Sequence, residues 1–391
     1  MPDRSVNDPR TIRYAQSFAP QPALAVQELY GDLSMPDMAF MIFFCSASYD
    51  RNLLSAAIKR QFGDVLTIGC TTAGEIGPLG QLQDSLVGVS FSSRGFSASI
   101  GLLRDLQNFE MPQAALLTQE LLQNLESQVP TAHSGNCFAL LLSDSLSAKE
   151  EPLALALQNE LGKIPMIGGS AGDDLKFVET QVYFNGQFHS NSAVLLLVTT
   201  KVPYTIFKTQ HFLPIEVRMV VTAANVADRR VMEINGLPAA PEFARLLGVA
   251  VSDLTPTLFA TSPVVVMIDN VCYVRSIQRV NPDQSLSFYC AIEEGLVLRV
   301  VCGLNMVENL RLAFANINAQ IGKPQLTLAF DCILRKLEAS QTGMSEPINK
   351  LLLANHVIGF NTYGEQFQGV HVNQTLVAIA FGQTDAKLNH V

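Results

Sequence analysis

Ile68-Gly69-Cys70-Thr71-Thr72-Ala73-Gly74-Glu75 returns in altered form as Ile167-Gly168-Gly169-Ser170-Ala171-Gly172-Asp173, and again as Ile358-Gly359-Phe360-Asn361-Thr362-Tyr363-Gly364-Glu365. Working outward, the first copy follows an apolar run at 39–45, a small polar turn at 46–50 and a helical pattern at 52–62, and it precedes an apolar run at 86–91. The second copy has its run at 138–142, turn at 143–147, helix at 151–161 and, after a nine-residue insertion, the run 193–198. The third has the run 326–330, Asp331-Cys332, a helix near 347–355 and the run 376–381. Glu75 to Leu86 and Glu365 to Leu376 both span eleven positions, the mark of an internal repeat.

Short apolar runs alternating with helical patterns predict a mixed α/β (α+β) fold. It has two domains of mixed sheets flanked by helices, with a strand–helix–strand–glycine turn–strand unit used three times. Gly74, Gly172 and Gly364 read as one corner used three times, where positive φ or close backbone approach calls for glycine. Between the second and third copies, the runs 264–268, 273–277, 287–291 and 297–302 predict a mainly antiparallel sheet. A pattern shift near 214–218 divides the chain into an N-terminal segment (1–34), a domain of two units (35–216), a domain of the antiparallel stretch plus the third unit (217–383) and a tail (384–391).

Of the 391 residues, 48% are hydrophobic and only 16% charged, against about 25% charged in an average soluble protein, so disorder is excluded. The apolar runs stop far short of the ~18–20 residues of a spanning helix, and no membrane insertion is expected. Basic residues number 26 against 35 acidic, for a net charge of −9, and they are scattered. No basic stripe marks a nucleic-acid surface. Seven cysteines without C-x-x-C spacing give neither a disulfide framework nor a zinc site. The polar N-terminus carries no secretory h-region, which points to the cytoplasm. Low charge content leaves apolar surface for a buried ligand cavity or a homodimer interface.

Taken in order, IGCTTAGEIGPL (68–79), DSLVGVSF (84–91), MIGGSAGDD (166–174), FDCILR (330–335), GFNTYGEQ (359–366) and HVNQTLVAIAFG (371–382) resemble the tandem FIST N and FIST C domains of bacterial signalling proteins. The resemblance covers about residues 35–382. A FIST chain of this length without an output domain is similar to the nitric-oxide-sensing NosP family. That resemblance implies a haem b cofactor, nitric oxide as the gas ligand, no catalytic activity, and a partner histidine kinase or cyclic-di-GMP enzyme. The alternative is a haem-free FIST sensor of a small metabolite such as an amino acid.

Haem needs an axial ligand in an apolar pocket. Under the resemblance His371 is the best candidate for the iron and His356 the next, with His189 and Cys70 behind them. Period-two alternation through 370–375 puts His371, Asn373 and Thr375 on one face, beside an apolar strand. Glu75, Asp173 and Glu365 recur at one repeat position. With Thr71, Thr72, Ser170 and Thr362 they supply hydrogen-bonding groups at strand ends, where pockets form in sheet proteins. These carboxylates either line a ligand cleft or accept backbone N–H bonds after the turn. Gly168-Gly169-Ser170-Ala171-Gly172 also fits the G-x-S-x-G nucleophile elbow, which must lead from a strand into a helix. The run 178–184 before Asn185-Gly186 predicts a hairpin there instead, which argues against a serine hydrolase.

Overall fold

Parallel strands need a crossover connection, normally a helix, and each repeat stretch ends the second strand of such a pair. In the computed structural model, which describes residues 10–268 and 271–383, Met38–Ser46 runs parallel to Leu66–Thr72 across the helix Arg51–Phe62. Cys137–Ser143 pairs likewise with Met166–Ser170 across Glu150–Leu161. Leu326–Cys332 pairs with Val357–Thr362 across two helices, Ile333–Gln341 and Ser345–Ala354. Asp50 caps the first crossover helix by accepting the Leu53 N–H at 2.9 Å, and Gly63 ends it at φ 59°.

Leu86–Ser92, Ser192–Thr200 and Leu376–Phe381 join these pairs antiparallel, and Ile12–Ser17, Phe96–Arg104 and Tyr204–Thr209 lie outside them. The result is three six-stranded sheets with like strand order. The last two strands of each are borrowed. The first sheet takes the hairpin Val182–Phe184/Gln187–His189 from the second unit. The second takes Glu365–Phe367/Val370–Val372 from the third unit, and the third takes Glu75–Gly77/Gly80–Leu82 from the first. The exchange closes a ring.

Where the strand ends meet, the Gly172 N–H donates to Thr71 O (3.0 Å), Ala73 N–H to Asn361 O (3.0 Å) and Tyr363 N–H to Ser170 O (3.3 Å). These bonds place Thr71, Ser170 and Asn361 in like positions, and Ala73, Gly172 and Tyr363 in the next. Gly172 therefore stands one residue ahead of Gly74 and Gly364, and the expectation of a single glycine corner is corrected. Of the three, only Gly74 has positive φ, at 127°. Gly172 packs on the Ala73 backbone and Gly364 on the His371 ring, each too closely for a side chain. The slip comes from the extra residues after Gly172. Gln181, not Asp173, offers Thr71 N–H the carbonyl (3.0 Å) that Gly74 and Gly364 offer to Asn361 and Ser170.

The inner faces of the three sheets share one core. At its centre the Phe44 ring lies 4.7 Å from Phe360 and 6.4 Å from Phe330, while Phe381 contacts Phe91, Phe96 and Phe138. Helices cover the outer faces. Among them Pro22–Leu33, Met111–Gln128 and Met306–Ile321, absent from the sequence reading, each precede the first parallel strand of a unit. An eight-stranded antiparallel sheet interrupts the third unit between Tyr204–Thr209 and Met306–Ile321, with its own core around Phe243 and Phe259. No described helix is long and apolar enough to cross a membrane. The tail 384–391, with His390, lies outside the described residues.

Candidate functional site: a buried polar seam

The hairpin Glu365–Phe367/Val370–Val372 turns through Gln368 and Gly369 at φ 49° and 84°, the two-residue turn that matches strand twist. Its register sets Gln366 opposite His371, so both side chains leave on one face. His371 is 2% exposed, and its ring and the Asn373 amide converge over the bare Cα of Gly364. Gln366 Nε2 donates to Ser170 Oγ at 2.8 Å, and Ser170 Oγ lies 3.2 Å from Ser143 Oγ. Ser170, His371 and Asn373 are thus brought together, joined by Gln366.

Two other elements close over them. Glu150 and Glu151 open the helix Glu150–Leu161, which packs on the hairpin. From the fourth sheet Arg229 reaches both carboxylates, at 2.6 and 2.8 Å, and donates to Tyr289 O at 2.8 Å. Ala291 N–H donates to Glu151 Oε1 at 2.6 Å. Arg275 ends the strand Val271–Arg275 of that sheet and interacts electrostatically with His371. Burial holds His371 below the ordinary imidazole value; Glu151 and Glu150 oppose the shift, and Arg229 and Arg275 reinforce it.

The chemistry of the seam lies in what it leaves unpaired. Both ring nitrogens of His371, Gln366 Oε1, Asn373 Oδ1, and Nε and NH1 of Arg275 are buried with no hydrogen-bond partner among the described residues. Buried polar atoms in native proteins are overwhelmingly bonded, so six orphans in one seam mark a place for a ligand or ordered water.

The remaining candidates lie elsewhere. Glu75 accepts from Ser85 N–H (3.1 Å) and Ser85 Oγ (2.8 Å) and bonds Thr72 Oγ1, while burial pushes its carboxyl up to about 7. Glu365 accepts from Thr375 N–H and Oγ1 in the same way, its Oε1 is left unpartnered, and burial raises it well above the usual range. Asp173 does not share their position. It lies in the inserted loop and accepts N–H bonds from Phe177, Val178 and Glu179 and the Tyr363 hydroxyl. Burial opposes its charge, but these donors outweigh it and lower its pKa. Thr71 Oγ1 accepts the Gln181 N–H, and Thr362 Oγ1 the Ser170 N–H, so both hydroxyls serve the junction of the units. Ser170 leads into no helix, and no described histidine bonds its hydroxyl.

The His371 ring nitrogens have no partner among the described residues, but Gly364 and Asn373 lie against it, Gln366 stands opposite, and two glutamates and two arginines act on it electrostatically, unlike the apolar lining of a haem face. His356 Nδ1 bonds Tyr14 Oη at 2.9 Å in a polar cleft with Asp32 and Lys323. His189 Nδ1 meets Arg104 at 3.3 Å near the surface. Burial pushes the Cys70 thiol well above its ordinary value, away from the thiolate a metal would take. The residues at these positions do not fit haem.

Sequence reasoning missed Gln366, Glu150, Glu151, Arg229 and Arg275. Gln366 closes the quoted stretch GFNTYGEQ but was not singled out, and the adjacent pairs Glu150-Glu151 and Arg229-Arg230 were weak signals for three more. Arg275 had none.

A family model of the FIST N domain matches residues 39–237, and one of the FIST C domain matches 239–368. No curated protein matches the chain. Among solved structures, a chorismatase is similar at 7% identity and a TM-score of 0.38, over 95% of this chain and 97% of that one. A cyanuric acid hydrolase is similar at 9% identity and a TM-score of 0.35, over 95% of this chain and 100% of that one. Neither likeness bears on activity.

Proposed function

Because the chain belongs to the FIST family, with the N and C domains in tandem, we propose that it is a sensor whose small-molecule ligand enters the seam between the hairpin Glu365–Val372 and the fourth sheet. FIST membership carries the sensory, ligand-binding role. The observation that carries the site is the convergence of His371, Gln366, Asn373 and Arg275, each with buried polar atoms lacking a partner. Leaving such groups unpaired costs about 1–3 kcal/mol each, and a polar metabolite recovers that cost on binding. The ligand is a small polar metabolite, with a free amino acid as its type. Non-catalytic action fits the seam, because among the described residues the Ser170 Oγ meets the side chains of Ser143 and Gln366 and no base that would activate it. Occupancy then biases a partner protein; a histidine kinase or a cyclic-di-GMP enzyme is the class the family resemblance supports.

A haem-dependent nitric oxide sensor is the second reading. Its support is His371, buried with both ring nitrogens free; the polar shell weighs against it. One experiment separates them. Purified protein is titrated with hemin and, separately, melted with each of the twenty amino acids. The expected outcome is no Soret band shift with hemin and a rise in Tm with one or a few amino acids, lost in His371→Ala. Stoichiometric hemin uptake abolished by His371→Ala, with no amino acid effect, would overturn the metabolite reading.

A further inference from the structure

The two arginines in the seam differ in one respect. Arg229 spends its guanidinium on Glu150, Glu151 and the Tyr289 carbonyl. Arg275, opposite Val264 in the fourth sheet, makes no hydrogen bond and no ion pair among the described residues, although its Nε and NH1 are buried. The residue is half-buried, and a guanidinium stays charged at any physiological pH, so burying two of its N–H groups without an acceptor is unfavourable. The nearby carboxylates are engaged instead by Arg229 and the Ala291 N–H, and none among the described residues pairs with Arg275. Its strand contacts the strand Val370–Val372, and Arg275 acts electrostatically on His371 there; both ring nitrogens of His371, Gln366 Oε1 and Asn373 Oδ1 are likewise buried without a partner among the described residues.

We propose that Arg275 is the specificity-determining residue of the seam. It takes the carboxylate of the ligand, while Gln366, Asn373 and His371 take amino or hydroxyl groups at the other end. The ligand class is therefore a small 2-amino or 2-hydroxy acid, and this assignment rests on the sensor reading given above. Carboxylate is the anion that a guanidinium binds in paired, planar geometry. The complementary acceptors reject a simple fatty acid, which would leave them unpaired. Binding also has a mechanical result. Arg275 belongs to the fourth sheet and the acceptors to a hairpin of the second, so the acid bridges them. Direct links there are otherwise few: Ser276 Oγ to Gln374 Oε1 at 3.0 Å, Gln374 to the Ala260 carbonyl, and the Arg229 cluster.

The test uses the full chain and a panel of amino acids and 2-hydroxy acids, each beside its carboxamide, with affinity read by calorimetry. The acids are expected to bind and their carboxamides to bind at least about tenfold more weakly. Arg275→Gln should weaken the acids about 10- to 100-fold, the equivalent of one charge-assisted hydrogen-bond pair, and abolish the preference over the amides. Hydrogen exchange at 271–276 should slow on binding to the wild type only. An acid and its amide bound equally well by the wild type would overturn this inference and leave the sensor reading standing, even if Arg275→Gln failed to fold. Acid binding indifferent to Arg275→Gln would do the same. No binding by any member of the panel would overturn both.

Discussion

At position 364 a single added carbon decides whether the seam keeps its shape. Gly364 does not have a positive φ, so its backbone tolerates alanine, but the new Cβ would overlap the His371 ring. Gly364→Ala should therefore cost only about 1–3 kcal/mol of stability, the usual penalty of overpacking. It should also displace His371 and remove ligand binding, as measured by chemical denaturation and titration on the same sample. Glu75 gives a pH-dependent case. Its carboxyl is raised from 4.5 to about 7, so the folded state holds the proton more tightly than the unfolded state. Stability on its account is fully present below pH 4.5 and is lost as pH rises to about 7, by roughly 2–4 kcal/mol. Urea unfolding at pH 5 and pH 8 should show that slope, flattened in Glu75→Gln. At this scale the sequence was partly legible. Ser170, His371 and Asn373 stood out because they lie in or beside the repeated motif. Arg275 did not, because its significance is the absence of a partner, which only the packed fold defines. Asp173 was misplaced beside Glu75 and Glu365, because the inserted residues hide a one-residue slip.

Among the elements, parallel strand pairs and their crossover helices were readable, since apolar runs and helical periodicity are local. Pro22–Leu33 and Met111–Gln128 also carried a local sign, a proline in the first turn, yet they share no motif and escaped a search guided by repeats. Hairpin exchange was not readable at all. Three-residue strands carry too little pattern to name the sheet they join. The hairpin of the third unit makes the testable case. Gly369 sits at φ 84°, where a side chain is strained, and its Cβ would press on Gln158. Gly369→Val should cost about 1–3 kcal/mol. It should also speed exchange at 166–169, the strand this hairpin covers, while exchange in the first sheet stays unchanged.

For the molecule as a whole, the exchange makes the three units inseparable. Residues 10–201 contain two complete sets of crossover strands, but their second sheet lacks the borrowed hairpin and their own Glu75–Leu82 hairpin has no sheet to join. That fragment should show no cooperative thermal transition by circular dichroism and should bind a hydrophobic dye. In the full chain the three shared-core sheets should melt together in one step; separate transitions for the first and third sheets would contradict the ring.

Ile76 finds its partner in Gly359. On a ribosome adding about 5–20 residues each second, that partner emerges roughly 15–60 s later. Throughout that interval the nascent first unit presents an apolar hairpin with a bare edge to the cell. No early portion of the chain can finish folding before the last portion has been translated. The tempo of synthesis, and whatever chaperone shelters that edge meanwhile, therefore governs the yield of native protein.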